Sequence, residues 1–271
     1  MKESTKRVIT GAVFGLIMLS AIFAGKIVSG ILFLIIALLA VAELLKLLKI
    51  PYLSISGITI LVLSLCEYLL ITFSINNIIS HQYLVLLISF PWIVSFSALL
   101  SKKNNRIHTI IAGVVSLSLI VTPFAFISLF YVKAEELGLN SWAITVIFFA
   151  LLWINDSFAY FIGKPLGRTP LIPSVSPGKT IEGTLGGIIC TLLAGWGITF
   201  LFPQTESSFW IAIAIAVAVG GIIGDLSESM LKRHLGIKDS GKILPGHGGI
   251  LDRFDSMLMA ASFVFILLIL L

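Results

Sequence analysis

The sequence is poor in charged residues. Asp, Glu, Lys and Arg make up only 11% of its 271 residues, whereas 58% are hydrophobic. A soluble domain usually carries about a quarter charged residues, which form its solvated surface. Because this chain has too few charges to cover itself in that way, we expect a membrane protein and exclude an ordinary soluble domain.

Cysteine is scarce as well. Cys66 and Cys190 each lie inside an apolar run, with neither the spacing of a disulfide framework nor that of a metal site. We therefore expect both to be small packing residues. A zinc site is not expected either, because His247 has no partner of the kind that zinc sites use.

Long apolar runs, in contrast, are abundant. A helix needs about 20 mainly apolar residues to cross the hydrocarbon core of a membrane. Nine runs of about this length predict an all-α polytopic membrane protein, and they cover residues 8–25, 27–45, 54–75, 82–100, 107–131, 142–162, 182–202, 208–224 and 254–271. Because eight further spans follow the first, we expect the first to be a retained helix rather than a cleaved signal peptide.

The Lys and Arg residues predict the orientation of these spans, because positively charged loops stay on the cytoplasmic side. With the N-terminus in the cytoplasm, all 18 Lys and Arg residues except Lys26 and Lys133 fall in cytoplasmic segments. The C-terminus is then outside. The same bias accounts for the net charge of +5, so no nucleic-acid partner is expected.

Composition changes near residue 140. Residues 1–140 are expected to form N-terminal transmembrane helices, and residues 141–271 a catalytic region with loops on the cytoplasmic face. Charged groups in a membrane cost at least a few kcal/mol each, so those of the second part are functional candidates. In the first part Glu67 lies mid-way along the third run, and we expect a hydrogen bond from a neighbouring helix.

A first polar cluster begins in the last part of the sixth run. Asp156 lies near the end of that run, and a loop leads on to Ser176, Pro177 and Lys179. Ser before Pro predicts a helix that begins at Ser176, with Pro177 in the first turn. Its free amides, with Lys179 beside them, could bind a phosphate. An ordinary helix start at the membrane surface is the alternative.

A second cluster is denser in acids. Four side chains share one helix face at the end of the eighth run, namely Asp225, Glu228, Ser229 and Lys232. Two further acids begin the ninth run at helical spacing, Asp252 and Asp255. Acids gathered in a low dielectric repel one another, and a divalent cation relieves that repulsion. Ligands that are all oxygen favour Mg²⁺, while ion pairs that tie loops together are the alternative.

These residues lie in motifs that resemble a known family. The run Ser229-x2-Lys232-Arg233-x4-Lys238-Asp239-x-Gly241-x2-Leu244-Pro245-Gly246-His247-Gly248-Gly249-Ile250-x-Asp252-Arg253-Phe254-Asp255 is similar to the full C-terminal motif of phosphatidate cytidylyltransferases. Two further segments are similar to a second sequence block of this family, namely Asp156-Ser157-x-Ala159-Tyr160-x2-Gly163 and Ser176-Pro177-x-Lys179-Thr180-x-Glu182-Gly183.

The resemblance implies an enzyme of phospholipid biosynthesis that converts phosphatidate and CTP into CDP-diacylglycerol and pyrophosphate. It implies a multi-pass protein of the bacterial cytoplasmic membrane, a site on the cytoplasmic face and a homodimer. Mg²⁺ is the expected cofactor, alone or with a second cation.

The site residues expected from the motifs fall into three groups. Those expected in catalysis are Asp225, Asp252, Lys232, Arg233 and His247. Those expected to bind the substrates are Asp156, Ser176, Lys179, Thr180, Glu182, Ser229, Lys238, Gly246, Gly248, Gly249 and Arg253. The expected metal ligands are Asp225 and Asp252, with Glu228 and Asp255 one turn away.

Two other functions use similar features. A lipid or polyprenol kinase that takes the γ-phosphate of CTP would need comparable acidic and basic groups. A transporter would place its acids near the bilayer midplane, where only Glu67 lies in this sequence. A CDP-alcohol phosphotransferase is not expected, because the chain has no Asp-Gly-x2-Ala-Arg motif.

Overall fold

The computed structural model describes residues 3–101, 106–241 and 248–271, and most of these residues are helical. The α-helices are α1 (Glu3–Phe23), α2 (Lys26–Leu47), α3 (Ile55–Ile75), α4 (Phe90–Leu99), α5 (Arg106–Val114), α6 (Thr122–Glu136), α7 (Ala143–Leu166), α8 (Ile181–Ile198), α9 (Ser207–His234) and α10 (Leu251–Leu270). A 3₁₀ segment, His81–Ser89, precedes α4, and a π-helical segment, Val115–Val121, joins α5 to α6.

Among the described residues, eight helical segments are long and apolar enough to cross a membrane. They correspond to the second to ninth predicted runs, and the all-α multi-pass class is therefore confirmed. The first run belongs to α1, whose apolar part is the shorter Thr10–Phe23. Its crossing of the membrane and the cytoplasmic N-terminus stay predictions.

The fifth span is one helical segment of 31 residues, Arg106–Glu136, with a π-helical turn in its middle. The amide of Thr122 donates to the carbonyl of Leu117, five residues back. Pro123 has no amide proton, so it cannot donate the hydrogen bond that an α-helix makes to the residue four positions back. A π turn directly before it shifts the register of the helical hydrogen bonds.

The hydroxyl of Thr122 lies 2.7 Å from a carboxylate oxygen of Glu67 on α3. This contact confirms the expectation that Glu67 is hydrogen-bonded to a neighbouring helix.

The chain divides into two compact units. The first contains residues 1–132 and 239–253, and the second contains residues 133–238 and 254–271. The described residues of the C-terminal motif are thus divided, since residues 239–241 and 248–253 belong with the N-terminal helices to the first unit and the others to the second. The functional division expected near residue 140 stays a prediction.

Two short strands, β1 (Pro170–Ile172) and β2 (Ser176–Thr180), form an antiparallel hairpin in the second unit. The predicted helix start at Ser176 is therefore wrong. Proline is tolerated in an edge strand, so Ser-Pro does not specify a helix here. Instead α8 begins at Ile181, and the Thr180 hydroxyl caps it by accepting a hydrogen bond of 3.2 Å from the Gly183 amide.

Helix α8 packs closely on α7 through glycines. A Cβ on Gly183 would lie 2.6 Å from the carbonyl oxygen of Ala159, and one on Gly187 would lie 2.7 Å from that of Asn155. Small residues allow such backbone contact between membrane helices. This packing places the hairpin, which directly precedes α8, beside the polar end of α7.

Candidate active site

Three carboxylates from three helices gather in the second unit. Asp156 comes from α7, Asp225 from α9 and Asp255 from α10. Each of the three repels the other two electrostatically. The approach of α9 to α10 is set by Gly224, because a Cβ there would overlap the carbonyl oxygen of Asp255. The glycine before Asp225 thus lets the two acid-bearing turns come together.

Two lysines offset part of this negative charge. Lys179, on β2, forms an ion pair with Asp225 and attracts Asp156 electrostatically. Lys232 forms an ion pair with Glu228, one turn before it on α9, and attracts Asp255. The cluster therefore contains two ammonium groups that can attract an anion, among acids that are left in excess.

Hydrogen bonds to the hairpin and to α9 hold this arrangement. Ser229 Oγ lies 3.3 Å from Asp225 Oδ1 and donates to it. The Nε of Arg233 donates to the carbonyl of Val175 at 3.2 Å, which ties the hairpin turn to α9. The carboxylate of Glu182 accepts from the amides of Arg168 at 3.1 Å and Thr169 at 3.2 Å. Glu182 thus anchors the strand pair that carries Lys179.

The structure brings together one set of predicted site residues, namely Asp156, Lys179, Asp225, Glu228, Ser229, Lys232 and Asp255. Thr180, Glu182 and Arg233 support the hairpin beside this set. Ser176 begins β2, and Lys238 is exposed at the end of the second unit. Gly246 and His247 lie outside the described residues, and all the assigned catalytic, binding and metal roles stay predictions.

In the first unit, Asp252 bonds to two other residues of the C-terminal motif. Its Oδ2 atom accepts hydrogen bonds of 2.8 Å from the amides of both Ser240 and Gly249. Gly248 has a positive φ of 84° and approaches so closely that a Cβ would lie 2.6 Å from the same oxygen. Arg253, next along the chain, is exposed. One oxygen of the predicted metal ligand Asp252 is therefore already engaged with backbone.

One acid that contacts this region, Glu43 on α2, was not among the residues expected from the sequence. Its side chain is only 3% exposed, and its carboxylate bonds to the hydroxyl of Ser240 and to the amides of Ile250 and Leu251. A signal was available, since Glu43 is a charged residue inside the second apolar run. Its hydrogen-bond partners lie nearly 200 or more positions further along the chain, so the sequence did not indicate which residues Glu43 contacts.

The gathered carboxylates suit a hard divalent cation only if the ion also binds a substrate. Among the described residues, no group of three or more His, Cys, Asp or Glu side chains has the geometry of a metal site. Mg²⁺, however, usually keeps several waters and binds one or two carboxylates together with substrate phosphates. Two of the gathered acids satisfy that requirement, so the residues fit an ion that binds with a nucleotide.

Comparison with known proteins identifies the family. The model of the cytidylyltransferase family matches residues 5–271. The phosphatidate cytidylyltransferase of Bacillus subtilis (strain 168) is 35% identical over 99% of this chain and 98% of its own length. That of Staphylococcus saprophyticus is 33% identical, and that of Staphylococcus aureus (strain COL) is 34% identical, each over 97% of this chain and 98% of the relative. The resemblance found in the motifs is confirmed, and the chain belongs to the cytidylyltransferase family of nucleotidyltransferases.

Proposed function

We propose that this protein transfers the cytidylyl group of CTP to phosphatidate and releases pyrophosphate. The observation that carries the proposal is the cluster of Asp156, Asp225 and Asp255 with Lys179 and Lys232 in the second unit. Relatives that match almost the whole chain have the name phosphatidate cytidylyltransferase. The product is CDP-diacylglycerol, a precursor for phospholipid synthesis.

The chemistry joins two anions. An oxygen of the lipid phosphate attacks the α-phosphorus of CTP, and the bond from that phosphorus to the oxygen bridging the α- and β-phosphates breaks. The bridging oxygen leaves with the pyrophosphate, which carries the electron pair. Since the lipid phosphate is already anionic near neutral pH, the site must chiefly position the reactants and disperse negative charge.

Lys179 and Lys232 are the side chains that supply positive charge. Lys179 lies on the hairpin and is paired with Asp225, so a phosphate that enters can exchange with the carboxylate for the ammonium group. Lys232 is held by Glu228, which fixes its position on α9. Ammonium groups next to the transferring phosphoryl group stabilise charge that grows in the transition state.

Mg²⁺ is the proposed cofactor, alone or with a second cation. Asp225 is the proposed ligand, with Asp156 or Asp255 beside it in the same cluster. Asp252, which the motif also suggests as a ligand, uses one oxygen to accept from the amides of Ser240 and Gly249. When bound, the ion would neutralise charge on the departing pyrophosphate.

We place the site on the cytoplasmic face of a bacterial cytoplasmic membrane. The charge bias of the loops supports this placement. A site at that depth meets CTP from the cytosol and phosphatidate from the leaflet. A homodimer, implied by the family resemblance, is part of the proposal.

The test separates cytidylyl transfer from phosphoryl transfer. Purified protein in phosphatidate-containing vesicles receives Mg²⁺ and CTP labelled at either the α- or the γ-phosphate. Label from the α-position should enter the lipid fraction, while label from the γ-position should leave as pyrophosphate. Entry of γ-label into lipid, with phosphatidate or with diacylglycerol as acceptor, would overturn the proposal in favour of a lipid kinase.

A further inference from the structure

Asn155 is a polar residue in the interior of the second unit, directly before Asp156 on α7. Its side chain is only 3% exposed. Burial of an amide is costly unless its donor and its acceptor both find partners. Neither the three acids nor the two lysines of the cluster include Asn155, so its burial needs a reason of its own.

The amide of Asn155 lies against two neighbouring helices. A Cβ on Gly187 of α8 would lie 3.1 Å from Asn155 Oδ1, which is closer than an ordinary contact. A Cβ on Gly221 of α9 would lie 3.8 Å from Asn155 Nδ2. The oxygen of the amide is thus next to α8 and its nitrogen is next to α9, where glycines leave room for them.

The contact with Asp156 fixes which way the amide points. The side chain of Asn155 donates a hydrogen bond to the carboxylate of Asp156. Only Nδ2 can be the donor, because the amide oxygen and the carboxylate are both acceptors. Oδ1, in contrast, has no hydrogen-bond partner among the described residues. An unpaired buried polar atom is uncommon in proteins and indicates a role other than packing.

A similar arrangement is found at Asp255. The same Cβ on Gly221 would also lie 3.8 Å from Cβ of Ser256, the residue after Asp255 on α10. Ser256 is 7% exposed, and its amide donates to Asp255 Oδ1 at 2.6 Å. Asn155 and Ser256 therefore both lie near Gly221, and each bonds to the acid next to it in the sequence.

We infer that Asn155 is a positioning residue, which holds the carboxylate of Asp156 beside Asp225 for the metal ion. The inference rests on the proposed function, and of the two acids named there beside Asp225 it selects Asp156. Hydrogen-bond partners of metal ligands fix the direction of the ligand oxygens, and their loss typically lowers metal affinity or activity by about 10–100-fold. Asn155 acts through Asp156 and is not itself a catalytic residue.

The variants are Asn155→Leu, Asn155→Ala and, as a matched control, Thr145→Val. Asn155→Leu keeps roughly the shape of the side chain and removes the donor. Asn155→Ala also removes the donor but adds no bulk against Gly187, which keeps the test open if Asn155→Leu does not fold. Thr145 is a fully buried residue of the same helix, and its hydroxyl likewise has no partner in the part of the chain that the structure describes. It lies about 15 Å before Asn155 along α7.

Two readouts are measured in detergent at increasing Mg²⁺ concentration. The first is transfer of α-label, which gives the maximal rate and the Mg²⁺ concentration at half of that rate. The second is the melting temperature with CTP but without phosphatidate, which reports binding without turnover. Both Asn155 variants should need about tenfold more Mg²⁺, or a larger excess, in each readout. Thr145→Val should need no more than the wild type.

A double variant shows whether Asn155 acts through Asp156. Asp156→Asn alone should shift the melting response to higher Mg²⁺ concentration. Adding Asn155→Leu should shift it no further, because residues that act as one unit are not additive. A further shift of the same size as in Asn155→Leu alone would mean that Asn155 acts independently of Asp156, and would overturn the inference.

The outcomes separate this inference from the proposed function. If wild-type protein transfers no α-label but the Asn155 variants still shift the melting response to Mg²⁺, the positioning role holds and the reaction is wrong. If these variants lower only the maximal rate and respond to Mg²⁺ as Thr145→Val does, Asn155 is a packing residue and the inference is overturned. A wild-type melting temperature that does not respond to Mg²⁺ in the presence of CTP would overturn it as well, since Asp156 would then hold no ion.

Discussion

Lys179 on the hairpin forms an ion pair with Asp225 on α9. The pair joins two segments that are distant in sequence, and it places the single cation of β2 among the gathered acids of the second unit. A phosphate that enters this cluster must compete with Asp225 for Lys179. Charge at Asp225 and binding of the nucleotide should therefore be coupled.

Asp225 is the first position to test. Asp225→Asn keeps the size of the side chain and removes its charge, so the rate of α-label transfer should fall by several powers of ten, since metal stabilisation contributes several kcal/mol. Turnover is measured against Mg²⁺ concentration. The control is Glu206→Gln at the exposed start of α9, and it should retain wild-type rates. Near-normal turnover of Asp225→Asn would mean that Asp225 has only a structural role, in its ion pair with Lys179.

Two variants of Asp252 separate the effect of its hydrogen bonds to Ser240 and Gly249 from the effect of its negative charge. In Asp252→Asn the amide oxygen can still accept from Ser240 and Gly249, whereas Asp252→Ala removes both bonds. We expect both variants to lose several powers of ten in rate, but only Asp252→Ala to accelerate trypsin cleavage after Lys238. Full activity in Asp252→Asn would exclude a metal role and leave only the two hydrogen bonds.

The packing of α9 on α10 predicts a stability difference between two glycines. A Cβ on Gly220 would lie 2.6 Å from Cα of Ala260, whereas one on Gly197 meets nothing within 4 Å. Gly220→Ala should destabilise the protein by about 1–3 kcal/mol through overpacking. Gly197→Ala should be neutral or stabilise it by about 0.5–1 kcal/mol. Melting temperatures in detergent measure both, and equal values would contradict the close approach.

The orientation in the membrane is tested with single cysteines. In a background with Cys66 and Cys190 replaced by Ser, Arg168→Cys should react with an impermeant maleimide only from the cytoplasmic side. Glu206→Cys should react only from outside, because α8 separates the two positions. Labelling of Arg168→Cys from outside would place the hairpin beyond the reach of cytosolic CTP, and would reverse the proposed topology.

The membrane spans could be predicted because their cause is local. A segment that crosses a bilayer must itself contain about 20 mainly apolar residues, and for eight of the nine predicted runs the structure has such a helix. The acids of the cluster could be selected for a related reason, since charges next to apolar runs are costly and need a function or a partner. Each of these properties lies in a short stretch of the chain.

The membrane class, most of the spans, the family and the candidate acids and bases of the C-terminal motif could therefore be recognised without a structure. Which of these residues contact one another depends on how the helices pack. The tertiary structure made Ser176–Thr180 a strand, because pairing with Pro170–Ile172 satisfies its backbone, and it set Lys179 against Asp225. It also gave Glu43 its partners on the motif loop. These contacts depend on helix packing between distant segments, and no local pattern of residue types encodes the partner of a buried charge.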